Sequence, residues 1–107
     1  MDQVTELSRP RIHLPNKAIE RFCKKHHIRK LALFGSALRE DFGPESDVDL
    51  LVDFDPEHIP GLIRLAGMEI ELSEILGRKV DMRTLEDLSP YFRQEIIDVA
   101  QVRYAEG

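Results

Sequence analysis

Apolar residues fall into four periodic stretches separated by short breaks. Between about 15 and 27, Ala18, Ile19, Phe22, Cys23 and His26 recur at helical spacing, and Pro15 suits a first helical position. Leu31-Ala32-Leu33-Phe34 is a continuous apolar run bounded by charge on one side and Gly35 on the other, which predicts a strand buried on both faces. Ser36 to about Asp41 predicts a short helix stopped by Gly43-Pro44. Val48 to Phe54 is the clearest strand in the chain, with Val48, Leu50, Val52 and Phe54 on one face and Asp49, Leu51 and Asp53 on the other. Gly61 to Leu76 predicts a long helix with a stripe of Leu62, Leu65, Ala66, Met68, Leu72, Ile75 and Leu76, ended by Gly77. Lys79 to Arg83 is a short third strand. Ser89 as cap and Pro90 in the first turn open a last helix carrying Phe92, Ile96, Val99, Ala100 and Tyr104. Residues 1–13 show no period and are expected as a loose tail, leaving 14–107 as one domain. The order helix, strand, short helix, strand, helix, strand, helix predicts an α/β fold, a small mixed sheet of about three strands flanked by helices.

Composition narrows the function classes. The chain has 107 residues, enough for a single core and too few for separate catalytic and substrate-recognition domains. A large substrate would have to be met on a shared surface or brought by a partner. The formal net charge of -5 argues against direct binding of duplex nucleic acid, which needs phosphates neutralised by Lys and Arg. The one dense basic patch, Lys24-Lys25-His26-His27 with Arg29 and Lys30, reads as the solvated end of a helix. A single cysteine, Cys23, excludes an internal disulfide and reads as a small core residue. Four histidines without zinc-ligand spacing give no zinc site. The first ten residues carry Asp2, Glu6 and Arg9 and no apolar run, so neither a signal peptide nor a membrane span is expected, and the expected location is cytoplasmic.

Chemistry concentrates at two places. Asp47 and Asp49 are two residues apart, so along a strand their carboxylates lie about 6.6 Å apart on one side and can converge on one ion. Magnesium takes hard oxygen ligands, few from protein and the rest from phosphate or water. The competing reading is an edge strand with a solvated acidic face. Like charges on one face repel, which a cation or a basic partner would relieve. The second place is Phe34-Gly35-Ser36, at the end of a predicted strand and the start of a helix. Glycine permits close backbone approach to a phosphate, free amides at a helix start favour an anion, and the Ser36 hydroxyl can bond a phosphate oxygen. Arg39 could reach the same anion. The competing reading here is an ordinary turn with a capping serine, and no P-loop pattern is present. A third acid, Asp81, lies on another predicted strand. If the two strands pair, Asp81 sits beside Asp49, and three carboxylates can hold two metals or help take a proton from an acceptor hydroxyl.

Gly35-Ser36, ten residues, Asp47-Val48-Asp49 and a later strand acid together resemble the minimal nucleotidyltransferases, or MNT proteins, of the DNA polymerase beta superfamily. The segments are LALFGSALREDFGPESDVDLLVDF and GRKVDMRT, and the ending SPYFRQEIIDVAQVRYA resembles the last helix of that family. The resemblance covers about residues 16–105. It implies a polymerase beta-like core in which Gly35, Ser36 and Arg39 hold the triphosphate. Asp47, Asp49 and Asp81 would be the catalytic acids and the ligands of magnesium, two ions, with ATP as substrate. Glu40 departs from the pattern, standing where glycine is expected. The resemblance further implies a HEPN-type toxin as partner, with AMP transferred onto a hydroxyl of that protein and this chain acting as antitoxin. Two alternatives stand beside this: a non-catalytic antitoxin that silences its partner by occlusion, and a transferase acting on a small-molecule hydroxyl.

Overall fold

The alternation at 48–54 becomes strand β2 (Val48–Phe54) in the computed structural model, which describes residues 14–38, 43 and 46–106, with the backbone alone at Ser36 and Ala37. The proposed tail 1–13, Arg39 and Glu40 lie outside the described residues. Around β2 stand β1 (Ile28–Phe34), β3 (Val80–Arg83) and β4 (Gln101–Ala105), in the order β3-β2-β1-β4. β1 runs antiparallel to both β2 and β4, and β3 is parallel to β2. Helix α1 (Asn16–Lys25) precedes β1, α2 (Leu62–Leu76) makes the crossover from β2 to β3, and α3 (Arg93–Val99) precedes β4.

One face of this sheet is the core. Leu31 and Leu33 of β1, Val48, Leu50, Val52 and Phe54 of β2, and Val80 and Met82 of β3 pack with Ile19, Phe22 and Cys23 of α1 and Met68 and Leu72 of α2. Each such side chain is worth about 1.5–3 kcal/mol of burial. Cys23 is fully enclosed, and burial pushes its thiol up to about 12, so it is an inert core residue as expected.

The sheet has four strands, not three, and the extra strand replaces the end of the expected last helix. Phe92, Ile96 and Val99 belong to one short helical stretch, but Ala100 turns extended (φ -63, ψ 143) and Tyr104 lies on β4 opposite Leu31. Without β4 the outer edge of β1 would present unpaired amides and carbonyls, and pairing outweighs one more helical turn. The start of the helix differs too. Ser89 Oγ accepts the Tyr91 N–H at 3.3 Å, but this closes a turn, and α3 begins only at Arg93. β1 also begins three residues earlier than its apolar run, because Ile28 reaches Phe54 across a bulge. The expected stripe of α2 is buried only at Met68 and Leu72, with Leu65, Ile75 and Leu76 packed at its border. Leu62 and Ile63 are 86% and 91% exposed. A 15-residue helix is about 22 Å long, whereas the four-residue β3 it lies beside spans about 13 Å, so one end of α2 overhangs.

The basic patch at the end of α1 is tied down. Lys25 Nζ and His26 Nε2 reach the two Glu71 oxygens of α2 at 3.1 Å and 2.9 Å. These bonds hold the Glu71 carboxyl below its usual range, the His26 bond foremost.

Candidate active site

Pairing of the strands decides which acids meet. In the parallel pair, Asp49 stands directly opposite Asp81; in the antiparallel pair, Asp49 stands opposite Phe34, the residue before Gly35. Three segments distant in sequence thus converge at one end of the sheet, on the face away from the core. The alternation of β2 buries Val48, Leu50 and Val52 and leaves Asp49 and Leu51 half-buried between them. Asp47 lies one residue before β2, also half-buried, beside Asp49 along the chain.

Gly35 is fitted to this place twice over. Its φ of +66 is left-handed, a conformation L side chains rarely adopt. A methyl group built there would lie 2.5 Å from Asp49 Oδ2, well inside contact distance. The missing side chain therefore makes room for a carboxylate of the chain itself, a reason that sequence reading assigned to a phosphate. Gly35–Leu38 forms a 3-10 turn at the start of the expected short helix, whose remaining residues, 39–41, lie outside the described residues. Four residues are too short to build a helix dipole. What the turn offers an anion is its amide N–H groups.

Two of the acids have a cation close by. Arg83, two residues past Asp81 and so on the same face of β3, donates from Nη2 to Asp81 Oδ2 at 3.1 Å and from Nε at 3.3 Å. That bond and the Asp81 charge raise the Arg83 pKa, with a smaller contribution from Asp49. Lys79 Nζ lies 3.9 Å from Asp47 Oδ2, a long and exposed pair of little energetic weight. Among the described residues no three His, Cys, Asp or Glu side chains stand close enough to hold a metal ion as they lie. The donor set itself suits magnesium: carboxylates only, brought together by register, with cationic side chains near two of them.

Sequence reading missed Arg83 and the support of β3. The outer edge of β3 would leave the N–H groups of Val80 and Met82 unpaired. Instead Val80 N donates to Ser73 Oγ at 3.0 Å and Met82 N to Glu69 Oε2 at 2.8 Å, both from α2. Asp81 is held between these two bonds. The period of two in Asp81-Met82-Arg83 was the available signal for Arg83. No local signal ties Glu69 to a residue thirteen positions on.

The family model for a nucleotidyltransferase domain matches residues 15–102. A relative from Methanocaldococcus jannaschii that carries a protein adenylyltransferase name is 33% identical over 76 residues, covering 71% of this chain and 80% of the relative. Protein adenylyltransferase MntA of Thermococcus cleftensis is 42% identical over 55 residues, 51% of this chain and 54% of that protein. Among solved structures, one described as a minimal nucleotidyltransferase superposes with a TM-score of 0.61 at 30% identity, over 79% of this chain and 85% of that one. A toxin-antitoxin structure with AMP-PNP superposes with a TM-score of 0.70 at 19% identity, over 86% of this chain and 74% of that one; at that identity the likeness concerns the fold.

Proposed function

The chain belongs to the nucleotidyltransferase-domain family, and on that premise we propose that it transfers AMP from ATP, with magnesium, to a hydroxyl of a partner protein. The observation that carries this reading is the convergence of Gly35, Asp49 and Asp81 through strand register. The names of the relatives support protein as the acceptor, and the toxin-antitoxin neighbour supports a toxin as the partner; its HEPN type is our reading from the sequence resemblance. We place the reaction in the cytoplasm, where ATP is abundant.

The acceptor oxygen forms a bond to the α-phosphorus of ATP as the bond to the bridging oxygen breaks and pyrophosphate leaves. The hydroxyl proton passes to Asp81. Asp47, Asp49 and Asp81 would hold magnesium, two ions, which neutralises phosphate charge when bound. The amides of the 35–38 turn would receive phosphate oxygens, and we assign the Ser36 hydroxyl and Arg39 to the same phosphates from the sequence resemblance. Arg83 orients the Asp81 carboxylate through its two bonds and must yield part of that contact when Asp81 is engaged. Among the described residues Asp47 and Asp81 remain partly exposed, so docking of the acceptor protein would supply the in-line geometry.

Co-expression with the neighbouring gene product, followed by intact-mass analysis of that partner, tests the reading. The wild type should add one or more AMP-sized increments, and Asp47→Ala with Asp49→Ala should add none while a complex persists. A complex whose partner never changes mass, even with ATP and magnesium, would replace this reading with silencing by occlusion. Transfer to a small-molecule hydroxyl in the absence of any partner would replace the protein acceptor.

A further inference from the structure

The turn that delivers the chain into Asp47 is bonded to one side chain from a distant segment. Arg78 Nη2 donates to the carbonyl of Ser46 at 2.9 Å and also to the carbonyl of Gly43. The turn closes on itself as well: Ser46 N donates to Gly43 O at 3.1 Å, and Gly43 N to Ser46 Oγ at 3.1 Å. Arg78 is anchored in its turn. Its own N–H donates to Ser73 O at 3.2 Å, just past the left-handed Gly77 that ends α2. The next residue, Lys79, accepts the Val48 N–H at 2.8 Å. Asp47 therefore hangs between two fixed points, the Ser46 carbonyl before it and the Val48 N–H after it, and both are fixed by residues 78 and 79.

Little of this serves the core. Gly43, Ser46 and Arg78 are half-buried and stand outside the apolar cluster that holds the sheet to its helices. Bonds from a guanidinium to backbone carbonyls are charge-assisted and directional, suited to fixing a loop. The loop they fix is the one that joins the Gly35 turn to the Asp47–Asp49 segment.

We infer that Arg78 is a positioning residue of the transfer site: through the carbonyls of Gly43 and Ser46 it sets where the backbone presents Asp47 to the nucleotide and its cation. This rests on the assignment of Asp47 and Asp49 above. A carboxylate that must meet a phosphate-bound cation at bond distance tolerates little displacement, so a loosened turn should slow transfer more than it unfolds the chain.

The test compares Arg78→Ala, Arg78→Lys and Asp49→Asn in the full chain with its partner. Both bonds leave from one nitrogen, so an ammonium can make them, and Arg78→Lys should recover much of what Arg78→Ala loses. In Arg78→Ala, amide hydrogen exchange without nucleotide should rise on the order of tenfold across 43–49 and stay unchanged across β1, with Tm close to wild type. Turnover should fall roughly ten- to a hundredfold and the magnesium concentration for half-maximal rate should rise, while the KM for ATP changes little. Arg78→Gln takes its place if Arg78→Ala does not fold. Unchanged exchange over 43–49 would overturn the inference, as would a loss of turnover that tracks a falling Tm and is not recovered by Arg78→Lys. Wild-type turnover in Asp49→Asn would instead refute the site reading, with the exchange measurement still reporting the hold of Arg78 on the turn.

Discussion

The two faces of the sheet obey different rules, although the same strands build both. On the core face, Leu31, Leu33, Leu50 and Val52 meet helices and are almost wholly buried; what matters there is volume. On the opposite face, Phe34, Asp49, Asp81 and Arg83 stand in register with Gly35, and what matters is the position of charge. One residue step along β2 separates the two rules. Stability and chemistry can therefore be changed almost independently by substitutions one position apart.

The largest expected effect lies on the charged face. Asp81→Asn keeps the shape of the side chain and removes a charged oxygen. Transfer should fall about a hundred- to ten-thousandfold, ATP binding should change far less, and thermal stability should hold. Single-turnover rates beside calorimetric titration would show this, and a wild-type rate would make Asp81 a surface acid paired with Arg83. Next comes the core face. Leu50→Ala, one step from Asp49, should cost about 2–5 kcal/mol in denaturant unfolding. What survives folded should still transfer AMP, and a selective loss of turnover would mean that the two faces are coupled. Gly35→Ala erases the separation. The left-handed backbone costs about 1–2 kcal/mol, and the new methyl displaces the Asp49 carboxylate, so stability and turnover should fall together. If turnover stays normal, the room beside Asp49 is not used. The smallest effect concerns the clasp between α1 and α2. Glu71, with its carboxyl held low by His26 and Lys25, stabilises the fold above its unfolded pKa. That contribution is lost as pH falls below the ordinary glutamate range and through the lowered folded value. Solvent screens the pair, so Glu71→Gln should flatten the acid limb of a Tm-versus-pH curve by less than about 1 kcal/mol, and an equally steep limb would assign the acid sensitivity elsewhere.

The legibility of the chain followed the same division. β2 was readable to the residue because its alternation records burial on one face and water on the other. The spacing of Gly35-Ser36, Asp47, Asp49 and Asp81 pointed to groups that could act together, and strand register brings Gly35, Asp49 and Asp81 to one end of the sheet. The last segment misled because Phe92, Ile96, Val99 and Tyr104 fit a helical repeat, while Gln101 to Ala105 alternates only weakly in burial. Its conformation is decided by the open edge of β1, which no local pattern reports. The exposed beginning of α2 was hidden for a similar reason: Leu62 fits the stripe, but the length of β3 limits how much of the helix finds a surface. Arg78 and Glu69 act on partners about 30 and 13 positions away, through backbone groups that carry no side-chain signature.

The bonds from α2 to β3 have a consequence for self-association. A sheet of this kind has two outer strands, and each could accept a strand from another molecule. On the β3 side the outward N–H groups of Val80 and Met82 are already taken by Ser73 and Glu69, so a foreign strand arriving there would first have to displace a hydroxyl and a carboxylate. Among the described strands, strand exchange and edge-to-edge aggregation are thereby steered away from β3, the edge beside the acids, and toward β4 at the far side of the sheet.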